Sequence, residues 1–152
     1  MKSFLQKILF LSVLFAFSFT LYAQNNAEVC QWTKQTLLNT LSIDYTYQKG
    51  DDDQIRKSYT DNAWDAISGF LGGYVDTVKE QHLTTHPIFI QEPSVVASGV
   101  DSGIYYWRVN EEVLIPELHL IIAFSMLVIK TNSSTSGGYV IQSLNMVKRE
   151  SP

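Results

Sequence analysis

Six side chains are the acids and phenols with which this chain could do proton chemistry: Asp44, Tyr45, Tyr47, Tyr59, Asp65 and Glu111. Glu111 stands out. Alternation along 104–115 puts it on one strand face with Trp107, Val109 and Val113. A carboxyl buried there would hold its proton to higher pH and would be a general-base candidate. The competing reading is that strand curvature or a bulge turns Glu111 to water. The densest polar stretch is SYTDNAWDAISGF, Ser58 to Phe70. It reads as an acid/base site or as a joint between helices. As a joint, Tyr59 closes one short helix, and Thr60 or Asp61 caps the next by accepting its free N–H groups. Asp65 then adds a favourable dipole contribution, and Trp64 inserts into the core.

Other reactive residue types form no constellation. His82 and His86 are four apart, the spacing of two metal ligands on one helix face, but Pro87 pushes His86 toward extended backbone. No third ligand accompanies them, so no metal is expected. His119 opens an apolar strand, where an edge or hydrogen-bonded histidine is the default. Asp51, Asp52 and Asp53 lack the alternating ligands, glycine and distal glutamate of a calcium loop, and suit the start of a helix instead. There is no nucleophile elbow and no phosphate-binding glycine loop, and Asn132-Ser133-Ser134 is a short match to a glycosylation acceptor. No cofactor is expected. Cys30, the only cysteine, reads as a small residue on a helix face.

The elements that must position these residues occupy most of the 152-residue chain, enough for one domain. Lys2 and Lys7 precede an uncharged apolar run that ends at Ala23. This is the pattern of a secretory signal over 1–23, with an uncleaved membrane anchor as the alternative. The domain then covers 24–152. Removing the leader takes two lysines and no acid, which moves the formal charge from −4 to −6. A chain this acidic, without a basic cluster, excludes nucleic acid or an anionic membrane surface as the natural partner. Contact with the membrane would run only through an uncleaved N-terminal segment.

Spacing predicts a long amphipathic helix over 27–48, ended by Gly50, and a short one over 51–59. A third carries Trp64, Ile67 and Leu71 and is stopped by Gly72-Gly73, and a fourth runs from Tyr74 to His82. The second half changes period. Leu83 to Gly99, with Pro87 and Pro93, reads as an irregular edge strand. A strand with one wet face follows and is bounded by Pro116. His119 to Thr131 is apolar on both faces, which predicts a central strand covered on both sides. A Ser/Gly hairpin and a last strand, Tyr139 to Lys148, close the chain.

Helices first and an antiparallel meander last is an α+β pattern, with N-terminal helices packed on a curved sheet of about four strands. Such a cone is similar to the nuclear-transport-factor-2-like and cystatin-like folds. That architecture hosts both enzymes and binding modules, so it does not settle function.

Four stretches carry a closer likeness. QWTKQTLLNTLSIDYTY (31–47), SYTDNAWDAI (58–67), IYYWRVNEEVLI (104–115) and GGYVIQSL (137–144) resemble, in this order, the periplasmic domain of the IcmL/DotI family of the Dot/Icm type IVB secretion system. The resemblance implies assembly without catalysis, protein partners in the bacterial cell envelope, and self-association as one mode of assembly. It gives Trp32, Tyr59, Thr60, Asp61, Trp64, Tyr106 and Trp107 structural roles. Two departures point to an IcmL-like paralogue. The N-terminus is a bare leader where the family has a cytoplasmic segment and a retained membrane helix, and Ser136 stands where an arginine is expected. The chain is therefore expected in the periplasm or secreted, or else anchored to the inner membrane and facing the periplasm. A small-molecule-binding or enzymatic cone protein, using the sheet cavity with Glu111, is the alternative function.

Overall fold

The structure is a computed structural model, and it describes residues 25–132 and 137–150. The leader expected over 1–23, the two serines of the glycosylation match and most of the Ser/Gly hairpin lie outside the described residues. Three helices precede a four-stranded antiparallel sheet of order β1-β2-β3-β4. The α+β expectation holds, with a simple meander in which every strand pairs with its chain neighbour.

Helix α1 spans 25–41 and buries Val29, Thr33, Thr36, Leu37, Thr40 and Leu41. It ends seven residues earlier than its spacing suggests. Thr85 intercepts the chain there: its Oγ1 accepts the Ile43 N–H at 2.8 Å and bonds the Leu41 carbonyl at 2.7 Å. Asp44 then closes a local turn by accepting the N–H of Thr46 at 2.6 Å. Asp51 and Asp52 close the same loop, accepting from Gln48 N and Gly50 N. The expected second helix shrinks to the single turn α2, Asp53–Arg56.

The third and fourth expected helices are one. Helix α3 runs Asp61–Glu80, straight through Gly69, Gly72 and Gly73. All three glycines are on the solvent side, and Ala63, Ile67, Leu71 and Val78 are buried on the other. Each glycine costs a helix interior roughly 0.5–1 kcal/mol. Four buried side chains outweigh that at roughly 25 cal/mol per Å² of apolar surface removed from water. At its start, Thr60 is the N-cap: Ala63 N–H donates to its Oγ1 at 3.4 Å, and the same hydroxyl donates to the Gln142 carbonyl at 2.8 Å. SYTDNAWDAISGF is thus a joint, pinned to the last strand at Ile141 by backbone bonds to Ser58 and Thr60.

Strand β1 (Ile88–Asp101) has three register shifts against β2 (Ile104–Ile115), the irregularity that Pro93 implies. Ser102 and Gly103, both at positive φ, make the two-residue turn between them. A 3₁₀ turn, Pro116–Leu118, leads to β3 (Leu120–Lys130), and β4 (Tyr139–Glu150) completes the sheet. The helices lie against its inner face. Trp107, Val109, Val113, Ile115, Ile122, Phe124, Met126 and Val128 from that face join Val29, Leu37, Leu41, Ile67 and Leu71 in one core.

Candidate functional site

The two faces of the central strands differ. On β3 the inward residues Leu120, Ile122, Phe124, Met126 and Val128 are buried, and the outward residues Ile121, Ala123, Ser125, Leu127 and Ile129 all keep partial exposure. The strand is central, as expected, but only one of its faces is sealed. This corrects the double coverage that its composition implies.

Register defines the outer face row by row. Ile88, Leu114, Ile121 and Arg149 form one row, and Gln91, Glu112, Ala123 and Val147 the next. Ser94, Asn110, Ser125 and Asn145 cross the middle as a polar seam. Below it come Ala97, Arg108, Leu127 and Ser143, then Gly99, Tyr106, Ile129 and Val140. Ile88 and Val147 are about half exposed, at 51% and 49%. Glu112 and Arg149 form an ion pair across the top at 2.8 Å. Tyr106 lies over Gly99, where a Cβ would meet its hydroxyl oxygen at 3.0 Å, a tight contact that glycine avoids. A groove of about 530 Å³ opens at this end between Tyr106, Arg108, Leu127 and Ile129. Reading the sequence for titratable groups missed this surface; its signal was the second apolar face of β3.

Glu111 points the other way. Its β2–β3 pairing with Phe124 is in unbroken register, so it stays on the inner face with Val109 and Val113. The bulge lies on the partner strand, where Glu92 and Pro93 together stand opposite Glu111. The expectation that curvature or a bulge delivers it to water is therefore overturned. Glu111 is 1% exposed, and neither carboxyl oxygen has a hydrogen-bond partner. Burial, reinforced by the charge of Glu92 and eased by Lys34, pushes its pKa up to about 8.

The remaining candidates do not converge on it. Asp44, Tyr45 and Asp65 are exposed. Tyr47 lines a separate cleft of about 240 Å³ between the 42–52 loop and α3, with Ile55, Trp64 and Ile67 in its wall. Tyr59 is buried, its hydroxyl 2.7 Å from Thr40 Oγ1. Glu111 lines neither this cleft nor the outer groove. His86 Nδ1 is 2.7 Å from Glu117, His82 sits beyond the end of α3 at positive φ, and His119 is exposed. Among the described residues no group of acids, histidines and cysteine is placed to hold a metal ion.

Apart from Tyr106 on the outer face, the aromatic motif residues gather in two places. Trp32 and Trp107 each pack on Tyr139 with ring centroids 5.6 Å apart. Trp107 Nε1–H also donates to Asn26 Oδ1 at 3.1 Å, tying β2 to the start of α1. Trp64 is half-buried against Tyr59, again at 5.6 Å. Asp61 is exposed and paired with Arg56 at 3.2 Å.

Helices on one face of an open four-stranded meander define an α+β open-sheet domain. That architecture is shared with solved bacterial proteins. The periplasmic domain of DotI matches with a TM-score of 0.67 and 20% identity, over 80% of this chain and 94% of that one. A periplasmic fragment of TraM matches at 0.65 and 16% identity, over 84% and 98%. An IcmL-like type IV secretion system protein from Legionella pneumophila matches at 0.63 and 14% identity, over 84% and 95%. The chain thus has an IcmL/DotI-like fold. No protein-family model matches the sequence, and no curated protein does. No helix among the described residues is long and apolar enough to cross a membrane.

Proposed function

We propose that this chain is a non-catalytic interaction module of the bacterial periplasm, an IcmL-like component or paralogue of a type IVB secretion assembly. The observation that carries the reading is the fold it has in common with the IcmL-like type IV secretion system protein, over 84% of its length. The outer sheet face supports it. Three strands present Leu114, Ile121, Leu127, Ile129 and Val147 with solvent access on either side of the polar seam, apolar surface of the kind that a protein partner covers. Of the six candidates Asp44 and Tyr47 share one cleft, and Glu111 lies outside it, which weighs against an enzymatic site built on Glu111. The leader would deliver the domain to the periplasm, where cleavage frees it or retention anchors it. Its partners would be envelope proteins or further copies of itself.

A photo-cross-linking residue at Arg108, on the exposed outer face, tests this in cells that carry such a secretion system. The expected result is an adduct with a component of that system, absent when the envelope complex is deleted. Adducts that persist unchanged in the deletion strain, or no adduct at all, would overturn the proposal.

A further inference from the structure

Glu111 is the only acid buried among the described residues, and it is orphaned. A buried carboxylate with no partner is costly enough that the group takes up a proton instead. The element lying over it is α1, which joins residues 1–24 to the sheet. The titratable groups around Glu111 are few. Helix α1 contributes Cys30 and Lys34, β1 contributes Glu92, and the segment before α3 contributes Tyr59. Its β3 neighbour, Phe124, has nothing to titrate.

Only Lys34 among them favours a negative charge on Glu111, and it makes no hydrogen bond to it. Lys34 Nζ is already held by both oxygens of Glu92, at 2.8 and 2.7 Å. Tyr59 is engaged with Thr40. Two of the three buried threonines of α1 turn back on their own helix, Thr33 to the Val29 carbonyl at 2.7 Å and Thr40 to the Thr36 carbonyl at 2.8 Å. As packed, no donor reaches either carboxyl oxygen of Glu111.

We propose that Glu111 is a proton-controlled seat for α1: neutral, it lets the helix lie on the sheet, and ionised, it lifts the helix while the sheet stays folded. The charge would act against the other anchors of α1: Val29, Leu37 and Leu41 in the core, Trp32 on Tyr139, Asn26 on Trp107, Lys34 on Glu92 and Thr40 on Tyr59. Release would change how the domain hangs from whatever precedes residue 25.

Hydrogen exchange on the full chain from pH 6.5 to 9 tests the seat. Opening of the amides of 29–41, corrected for intrinsic exchange, should rise roughly thirtyfold if the acid titrates near 8 when seated and near its ordinary 4.5 when released. Glu111→Gln should flatten that rise, and the amides of β3 should stay protected in both proteins. Alkylation of Cys30, half-buried on α1, should follow the same profile. Equal pH dependence in wild type and variant would overturn the seat. So would exchange of α1 and β3 amides in concert, which would make the acid a determinant of global stability only. If Glu111→Gln does not fold, carbon-13 NMR of the labelled wild-type carboxyl decides. A titration in the ordinary carboxylate range would overturn the proposal.

Discussion

The inner and outer faces of the β2–β3 pair are built from alternate residues of the same two strands; the inner is apolar apart from Glu111, and the outer mixes an apolar β3 with a largely polar β2. Trp107, Val109, Val113 and Ile115 point inward between Arg108, Asn110, Glu112 and Leu114, which point outward. Ile122, Phe124, Met126 and Val128 are buried, and Ile121, Ala123, Leu127 and Ile129 are not. The faces also place their polar groups differently. The inner face isolates one acid without a partner. The outer face collects Ser94, Asn110, Ser125 and Asn145 into a partly exposed seam, in which Asn110 Oδ1 alone is buried without a partner. On β3, composition alone treats the two faces as equivalent. What separates them is that the helices cover only one, so apolar content on the other is available for association and contributes little to the monomer.

The sharpest way to break this comparison is to remove one apolar side chain from each face. Phe124→Ala should destabilise the monomer by about 3–5 kcal/mol, because it empties a fully packed site. Leu127→Ser, three residues on and on the other face, should cost about 1 kcal/mol or less. Urea unfolding of both variants measures the difference. Comparable losses would mean that the outer face contributes to folding as much as the inner one does.

Glu111 sharpens the comparison from the inside. Its folded-state pKa is raised, so the native state holds the proton longer than the unfolded chain does. Stability is therefore full below about pH 4.5, falls as pH rises, and levels off above about pH 8. Relative to Glu111→Gln, the wild type should lose about 1.4 kcal/mol per pH unit across that window. Melting curves of the two proteins from pH 4 to 9 read the slope directly. Parallel curves would mean that the carboxyl finds a partner or water on ionising.

How much of this was legible in the sequence depended on whether a signal was local. The cap at Thr60 was legible, because an N-cap needs only the residues beside it. So were the edge irregularity at Pro93 and the inward phase of Trp107 and Val109, whereas the inward place of Glu111 was not, because a bulge could have turned it to water and in fact falls on the partner strand. The end of α1 was not, because Thr85, 44 residues beyond Leu41, takes its last carbonyl. Nor was the one-sided coverage of β3: alternation reports that both faces are apolar, and only the placement of the helices decides which is sealed. The orphaned state of Glu111 was hidden for a related reason. It depends on the hydroxyls of Thr33 and Thr40 bonding to their own helix and not across the interface.

The smallest expected effect concerns Gly72, where a local rule failed outright. Gly72-Gly73 reads as a stop, yet α3 continues through both to Glu80. If packing of Leu71 and Val78 carries the helix across a weak spot, the glycines are pure cost. Gly72 has ordinary helical backbone with nothing within 4 Å of where a Cβ would stand, so alanine meets no obstacle. Gly72→Ala should then stabilise the protein by about 0.5–1 kcal/mol, partly through the unfolded chain. Gly99→Ala is the counterpart on the outer face, where the new Cβ would press on the Tyr106 ring at 3.0–3.2 Å and should destabilise. Equilibrium unfolding resolves the two signs. If Gly72→Ala destabilised instead, α3 would need flexibility at that point, and the account of its continuation by packing would fail.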